Sequence, residues 1–183
     1  MENRIGFGRR LGAYLIDLLI IIGLAYIVAS ISGDFFEKFV DFSKITDAQL
    51  EVFDGKPNLW LFSVIVPITA VLISFIYNLV EGFTGYTLAK YLLGIQIGNQ
   101  DGTQASQGKL MLRFAIKNIS SIIGLIAIAL MASTLNTVGS VLGFVIFIGC
   151  FFVLGESKLA FHDMIAKTAV YWRKDLEGIS AEE

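Results

Sequence analysis

The sequence predicts an all-α membrane protein: a four-transmembrane-helix bundle with a small cytoplasmic β-hairpin element and an outer amphipathic segment. Composition is the first observation behind this prediction, because 55% of the 183 residues are hydrophobic and 16% are charged. Soluble globular domains contain about 45–50% apolar and about 25% charged residues. The second observation is that apolar residues gather into three long runs, each reaching the length of about 20 residues that a membrane-spanning helix needs.

The first two apolar runs predict one helix each. Residues 11–33 contain a single charged residue, Asp17, and residues 57–80 contain none. With a rise of about 1.5 Å per residue, each run is long enough to cross a hydrocarbon core of about 30 Å. We therefore predict transmembrane helices at about 11–32 and 58–80.

The third apolar run is too long for one membrane-spanning helix. Residues 118–155 contain no charge, and as one helix they would be about 57 Å long, nearly twice the thickness of the membrane core. The run must therefore fold back, and we predict the turn at its most polar stretch, Thr134–Thr137. The third and fourth helices are accordingly predicted at about 118–134 and 138–155.

Lysine and arginine are distributed unequally between the two sides of this topology. Eleven lie in the N-terminal segment, the loop after the second helix and the tail after the fourth, whereas three lie in segment 33–57. Because cytoplasmic loops carry the excess of basic residues, we predict cytoplasmic termini and an external segment 33–57. The chain is predicted to form a single domain over residues 1–175, followed by a polar tail at 176–183.

The segments between the helices predict two smaller elements. Aromatic residues over 35–42 fit a short amphipathic helix on the outer membrane surface. On the cytoplasmic side, apolar residues alternate over 94–98, and Asp101-Gly102 is a strong turn signal. A β-hairpin is therefore predicted here, with Thr168–Trp172 as a candidate third strand.

Asp17 is the most informative single residue, because a carboxylate inside hydrocarbon costs about 2.5–3.5 kcal/mol on insertion scales. Two helical turns separate it from Arg10, so both side chains lie on one helix face, about 10 Å apart along the axis. One interpretation is a carboxylate that binds a proton or a cation. The other is a structural ion pair or hydrogen bond with Arg10, Lys90 or a loop backbone.

Further polar residues are predicted to lie on the same side of the membrane as Asp17. Simpler roles compete for several of them: an interface position for Glu81, and an N-cap or an arginine partner for Asp163. His162 is explained as a buried or capping residue, because no second histidine exists to build a metal site. Tyr77, near one end of the second helix, is typical of an aromatic residue at the membrane interface. A charged vestibule is geometrically allowed, made by Arg10, Asp17, Glu81, Lys90, Arg113 and Asp163.

Three motifs in order along the chain resemble those of the RDD family of bacterial membrane proteins, named for an arginine and two aspartates. They are residues 10–17 (RLGAYLID), 85–97 (GYTLAKYLLGIQI) and 161–170 (FHDMIAKTAV), and the resemblance covers about residues 5–172. One departure is Ala89, where the family commonly has glycine. The candidate residues within or between these motifs are Arg10, Asp17, Glu81, Thr87, Lys90, Arg113, His162 and Asp163.

The resemblance implies a multi-spanning protein of the bacterial inner membrane, with transport as the suggested activity. It implies no settled substrate, although some members are thought to move cations against protons. The implied partners are the lipid bilayer, monovalent cations, protons and further copies of the chain. The candidate ion-coupling residues are Arg10, Asp17 and Asp163, supported by Glu81, Thr87, Lys90, Arg113 and His162.

A second hypothesis is a non-transporting membrane scaffold or accessory subunit, in which the arginine and aspartate residues form a structural clamp. Other function classes lack their sequence signals. Metalloprotease, serine-hydrolase and phosphate-loop motifs are absent, so neither an enzyme nor a cofactor is expected. The single cysteine, Cys150, excludes a disulfide within the chain. A net charge of −2 provides no basic field for nucleic acid.

Overall fold

A computed structural model of the protein describes residues 3–37 and 57–180. The chain separates into two compact units, residues 1–17 with 75–183, and residues 18–74. Every candidate residue belongs to the first unit. The helices are α1 (Phe7–Glu37), α2 (Pro57–Thr84), α3 (Leu88–Leu92), α4 (Gln107–Lys117), α5 (Ile119–Ala129), α6 (Ser133–Cys150), α7 (Phe161–Ala166) and α8 (Arg173–Ser180), and the strands are β1 (Ile95–Asn99) and β2 (Thr168–Trp172).

Apolar helices of membrane-spanning length confirm the predicted class of protein. Within the described residues, Phe7–Ile31 and Ser133–Leu154 are each long and apolar enough to cross a bilayer. A third span results if Gln107–Lys117 and Ile119–Ala127, which meet at a bend of 67°, act as one. The apolar helix Thr69–Thr84 is shorter. The fold is thus mostly helical with two or three candidate spans, and the predicted total of four stays a prediction.

The long apolar run turns earlier than its polarity predicts. Helix α5 ends at Ala129 and α6 begins at Ser133, and between them Met131 adopts a left-handed backbone conformation with φ 51°. The predicted turn, Thr134–Thr137, lies instead in the first turns of α6. Polar residues suit this position because the first four N–H groups of a helix have no intrahelical partner.

Helices α5 and α6 approach closely through two glycines of α6. A Cβ atom on Gly143 would lie 2.7 Å from the Cβ of Ser120, and one on Gly139 would lie 3.1 Å from the side chain of Ile123. A side chain at Gly143 would require Ser120 to move, and one at Gly139 would press against Ile123. Small residues at four-residue spacing therefore serve the packing of the two helices within one chain.

The small sheet differs from the predicted hairpin. Strand β1 pairs antiparallel with β2, with Ile97 opposite Val170. After the turn at residues 101–102, a single bridge from Gly98 to Gln104 forms instead of a second hairpin strand. The polar residues that follow have little apolar surface to bury, whereas β2 is apolar and buried, so burial favours the distant pairing.

Two remaining predictions concern segments near the ends of the described ranges. Helix α1 continues to Glu37, and the rest of the predicted outer amphipathic segment lies outside the described residues. At the other end, α8 extends through much of the predicted polar tail, 176–183. Leu176 within it is buried in a cluster with Leu159 and Tyr171. The first half of α8 therefore packs against the rest of the fold.

Candidate functional site

The two-stranded sheet brings the three sequence motifs together. The segment before α1 lies against β2, since the N–H of Ile5 donates to the carbonyl of Val170 at 2.8 Å. Ile5, Ala13, Ile97 and Val170 share one buried apolar cluster. Burial of these side chains therefore places the start of α1, the middle motif and the closing motif at one position in the fold.

Asp17 is buried and accepts hydrogen bonds from three neutral donors. The hydroxyl of Tyr77 on α2 donates to one carboxylate oxygen, and the hydroxyl of Thr87 donates to the other at 2.6 Å. The backbone N–H of Ala89 donates at 3.2 Å. All three partners of Asp17 are therefore neutral groups.

The backbone around Asp17 depends on the start of the short helix α3. Thr87 is its N-cap residue, and the Thr87 hydroxyl also accepts from the N–H of Lys90 at 3.3 Å. Ala89 lies in the helix, and among the described residues it is not one of those with positive φ. The glycine that the family commonly has at this position is therefore not needed here for its backbone freedom.

Asp163 occupies a very different environment at the start of α7. Its carboxylate pairs with the guanidinium of Arg10 and accepts from the Nε of Arg113 at 2.8 Å. It also accepts from the backbone N–H of Ala160 at 3.2 Å. Because Ala160 is the N-cap residue of α7 and Asp163 lies in the first turn, Asp163 is an arginine partner rather than the predicted N-cap. Burial acts to raise the pKa of Asp163, but the charges of Arg113 and Arg10 outweigh it and hold that pKa well below its usual range.

Glu81 is a second buried carboxylate that contacts Arg113, with 3% of its surface exposed. It pairs with Arg113, with Lys90 and with Lys117 at 2.7 Å. Burial lowers the pKa of Lys90 to about 8, although the charge of Glu81 opposes this change.

His162 lies against the same arginine. Its Nε2 is 3.2 Å from an Nη of Arg113, and because a guanidinium only donates, Nε2 must be the acceptor. Burial and then the charge of Arg113 lower the pKa of His162 to about 3. The ring is therefore neutral near pH 7 with its proton on Nδ1, and this buried Nδ1–H has no hydrogen-bond partner in the described part of the chain.

The structure thus divides the predicted residues into two groups. The first is the Asp17 site with Tyr77 and Thr87. The second, which we call the ion-pair network, consists of Arg10, Glu81, Lys90, Arg113, Lys117 and Asp163, with His162 against it.

The sequence did not predict that Tyr77 is a partner of Asp17. A usable signal was its position one helical turn before Glu81, which places both polar groups on one face of α2.

A cavity of about 280 Å³ connects the two groups. One part of its wall carries charge or polarity, and the rest is apolar and aromatic. Among the described residues, no group of three or more His, Cys, Asp or Glu side chains could hold a metal ion. The lining residues are Phe7, Arg10, Leu11, Tyr14, Asp17, Lys90, Arg113, Lys117, Phe147, Cys150, Phe151, Val153, Ala160, His162 and Val170.

The chain was also compared with known proteins. The RDD family model matches residues 4–167, which confirms the resemblance of the three motifs. Neither the curated proteins nor the solved structures yielded a match.

Proposed function

The chain belongs to the RDD family, and we propose that it is a membrane transport protein in which Asp17 is the coupling carboxylate. The most concrete version is secondary exchange of a monovalent cation against protons. Asp17 would bind and release the coupling ion from the cavity. This role needs no catalytic residue, so we propose that the protein is not an enzyme.

One observation carries this proposal: the buried Asp17 carboxylate lines a cavity and is held by neutral donors alone. No ion pair to Asp17 forms within the described residues. A buried charge of this kind is costly, and in membrane helices it marks ion and proton pathways. Hydroxyl groups can also rotate to follow a change in protonation, whereas an arginine partner would oppose it.

The ion-pair network supports a different role for Arg10 and Asp163. Arg10 lies on α1, Glu81 on α2, Arg113 on α4 and Asp163 on α7, so their contacts join four helices of one unit. We propose that this network holds the walls of the cavity in place while Asp17 changes its occupant. Its arginine and aspartate residues then act by positioning rather than by binding the coupling ion.

The same network favours the alternative function, a membrane scaffold or accessory subunit. Buried ion pairs that are completed by further hydrogen bonds can specify one arrangement of helices. In that case Asp17 would be one more structural contact, fixing α3 against α1. The two functions differ in what happens when Asp17 loses its charge.

The test is ion flux in proteoliposomes that contain a pH-sensitive dye, with Na⁺, K⁺ or Li⁺ added outside. Wild type and Asp17→Asn are compared at equal amounts of monodisperse protein. We expect cation-dependent proton movement in wild type and its loss in the folded variant. Glu156→Gln is the matched control, because Glu156 is an exposed carboxylate of the same unit.

Normal flux in Asp17→Asn would show that Asp17 is not the coupling group. Absence of flux for every cation in wild type, together with misfolding of Asp17→Asn, would favour the scaffold. A third result, loss of folding in Asp163→Asn but not in Asp17→Asn, is expected if the network is structural.

The topology belongs to the same proposal. We propose four spans in the bacterial inner membrane, at about 11–32, 58–80, 118–134 and 138–155, so that the basic residues of α4 lie on the cytoplasmic side. Both termini would be cytoplasmic, as the eleven basic residues on that side indicate. Four helices enclose little pathway, so we further propose that copies of the chain associate.

A further inference from the structure

The cavity has a charge surplus that its own residues do not balance. Four cations line it, and Asp17 is the anion among its lining residues. The two carboxylates behind the wall, Glu81 and Asp163, are paired with these cations. Seven charged groups therefore leave one net positive charge at the cavity, where Lys117 is the most exposed of the four cations.

The same wall contains donors that lack an acceptor. The ammonium of Lys90 has three N–H groups, and its salt bridge in the described residues is to Glu81. The buried Nδ1–H of His162 has no partner there either. Both residues line the cavity. A ligand with several acceptor oxygens and one negative charge would satisfy the remaining N–H groups of Lys90 and the net charge together.

The remaining wall of the cavity is apolar and reaches the surface of the protein. Leu11, Tyr14, Phe147 and Phe151 line the cavity, and each residue is also 40% or more exposed. In a membrane, such a surface faces lipid. This wall therefore borders the hydrocarbon, and an apolar chain can leave the cavity along it without entering water.

We infer that the cavity binds a singly charged phosphate headgroup carried by an apolar chain, with the phosphate at Lys90 and Lys117. At about 280 Å³ the cavity is just below the usual 300–1,000 Å³ of ligand pockets. It therefore fits a headgroup and its first carbons, with the remainder of the chain in the bilayer. This inference stands apart from the transport proposal, because it concerns binding at equilibrium.

The test measures ligand-induced thermal stabilisation of the full chain in nonionic detergent. The three probes are phosphatidylglycerol, phosphatidylcholine and inorganic phosphate, each titrated to give an apparent Kd. Phosphatidylglycerol has one net negative charge and phosphatidylcholine has none. With about 1 kcal/mol per basic residue, we expect phosphatidylglycerol to bind on the order of ten-fold more tightly.

Two variants locate the site, each with a matched control. Phe147→Trp adds bulk to the cavity wall and should weaken phosphatidylglycerol binding about ten-fold. Phe144→Trp should not, because Phe144 is also exposed on α6 but does not line the cavity. Lys117→Gln should weaken binding about five-fold, and the exposed Lys174→Gln should not. If Lys117→Gln does not fold, the comparison of Phe147→Trp with Phe144→Trp still tests the inference, because both residues are exposed.

Equal binding of the two lipids would overturn the inference. So would phosphatidylglycerol binding that neither cavity variant changes, because the lipid would then bind elsewhere. Saturation by inorganic phosphate at the same free concentration as phosphatidylglycerol would overturn the assignment of an apolar chain and indicate free phosphate instead. Preference for phosphatidylglycerol that both cavity variants reduce is the expected result.

Discussion

Asp17 and Asp163 are both buried aspartates of the family motifs, yet the fold gives them opposite surroundings. Asp163 is fully buried and contacts two guanidinium groups. Asp17 contacts two hydroxyls and one backbone N–H. The charge of Asp163 is thus required by its neighbours, whereas the charge of Asp17 can change without leaving a neighbouring ion unpaired.

This comparison teaches that burial alone does not separate a structural carboxylate from a functional one. Removing one member of a buried ion pair leaves the partner charged and desolvated, which is strongly destabilising. Removing a charge that only neutral donors hold costs one or two hydrogen bonds. The kind of donor, charged or neutral, is the useful criterion, and each of the following experiments changes one side of the comparison.

The largest effect is expected for Asp163→Asn. It leaves Arg10 and Arg113 without their shared anion, and we expect a loss of about 3–5 kcal/mol in the free energy of unfolding. The measurement is unfolding in mixed micelles together with the monodisperse fraction by size-exclusion chromatography. Glu156→Gln, an exposed carboxylate, should remain within about 0.5 kcal/mol of wild type. Wild-type stability of Asp163→Asn would contradict the structural role.

The next largest effect is expected for Arg113→Lys, which keeps the charge but removes the planar fork. Arg113 contacts Asp163 through Nε, Glu81 through one Nη and His162 through the other, and a lysine cannot reach all three. We expect a loss of about 2–3 kcal/mol. Combining it with Asp163→Asn should cost less than the sum of both changes, because they share a partner. Full additivity would contradict a connected network.

Acid should destabilise the network through His162. Its pKa is about 3 in the folded chain against about 6.5 when unfolded, so the unfolded state binds the proton first. Stability is therefore complete above pH 6.5 and falls as the pH decreases toward 3, by up to about 1.4 kcal/mol per pH unit. Unfolding measured between pH 5 and 6.5 avoids the range in which unfolded aspartates titrate.

The matched variant for this pH dependence is His162→Gln, whose side-chain oxygen can still accept from Arg113. Its unfolding free energy should be nearly constant over the same pH range. A slope equal to that of wild type would assign the acid sensitivity to another group.

The smallest effect on stability is expected for Asp17→Asn. The amide keeps one acceptor oxygen for Tyr77 or Thr87 and leaves no unpaired ion, so a loss of about 1 kcal/mol is expected. The measurement is again unfolding in mixed micelles, beside Asp163→Asn. A loss as large as that of Asp163→Asn would remove the distinction between the two aspartates.

Several features of the molecule could be predicted from the sequence because they depend on local composition. Long uncharged runs indicate membrane-spanning helices whatever the rest of the chain does, because the signal depends only on the length and composition of the run. The motif positions likewise indicated which polar residues belong together, and Thr87, Lys90, Arg113 and His162 do lie around the cavity or beside Asp17. The charge of Asp17 within an apolar run indicated a special role on its own.

The partners of these residues were decided by the tertiary structure. Arg10 and Asp163 are separated by 153 positions, and Tyr77 and Asp17 by 60, so no local pattern relates them. The pairing of β1 with β2 depended likewise on the tertiary structure, because β2 is the strand that buries apolar surface. Sequence determined which groups are costly to bury, and the fold decided which of them received a counter-charge, because electrostatic interactions depend on distance in space rather than along the chain.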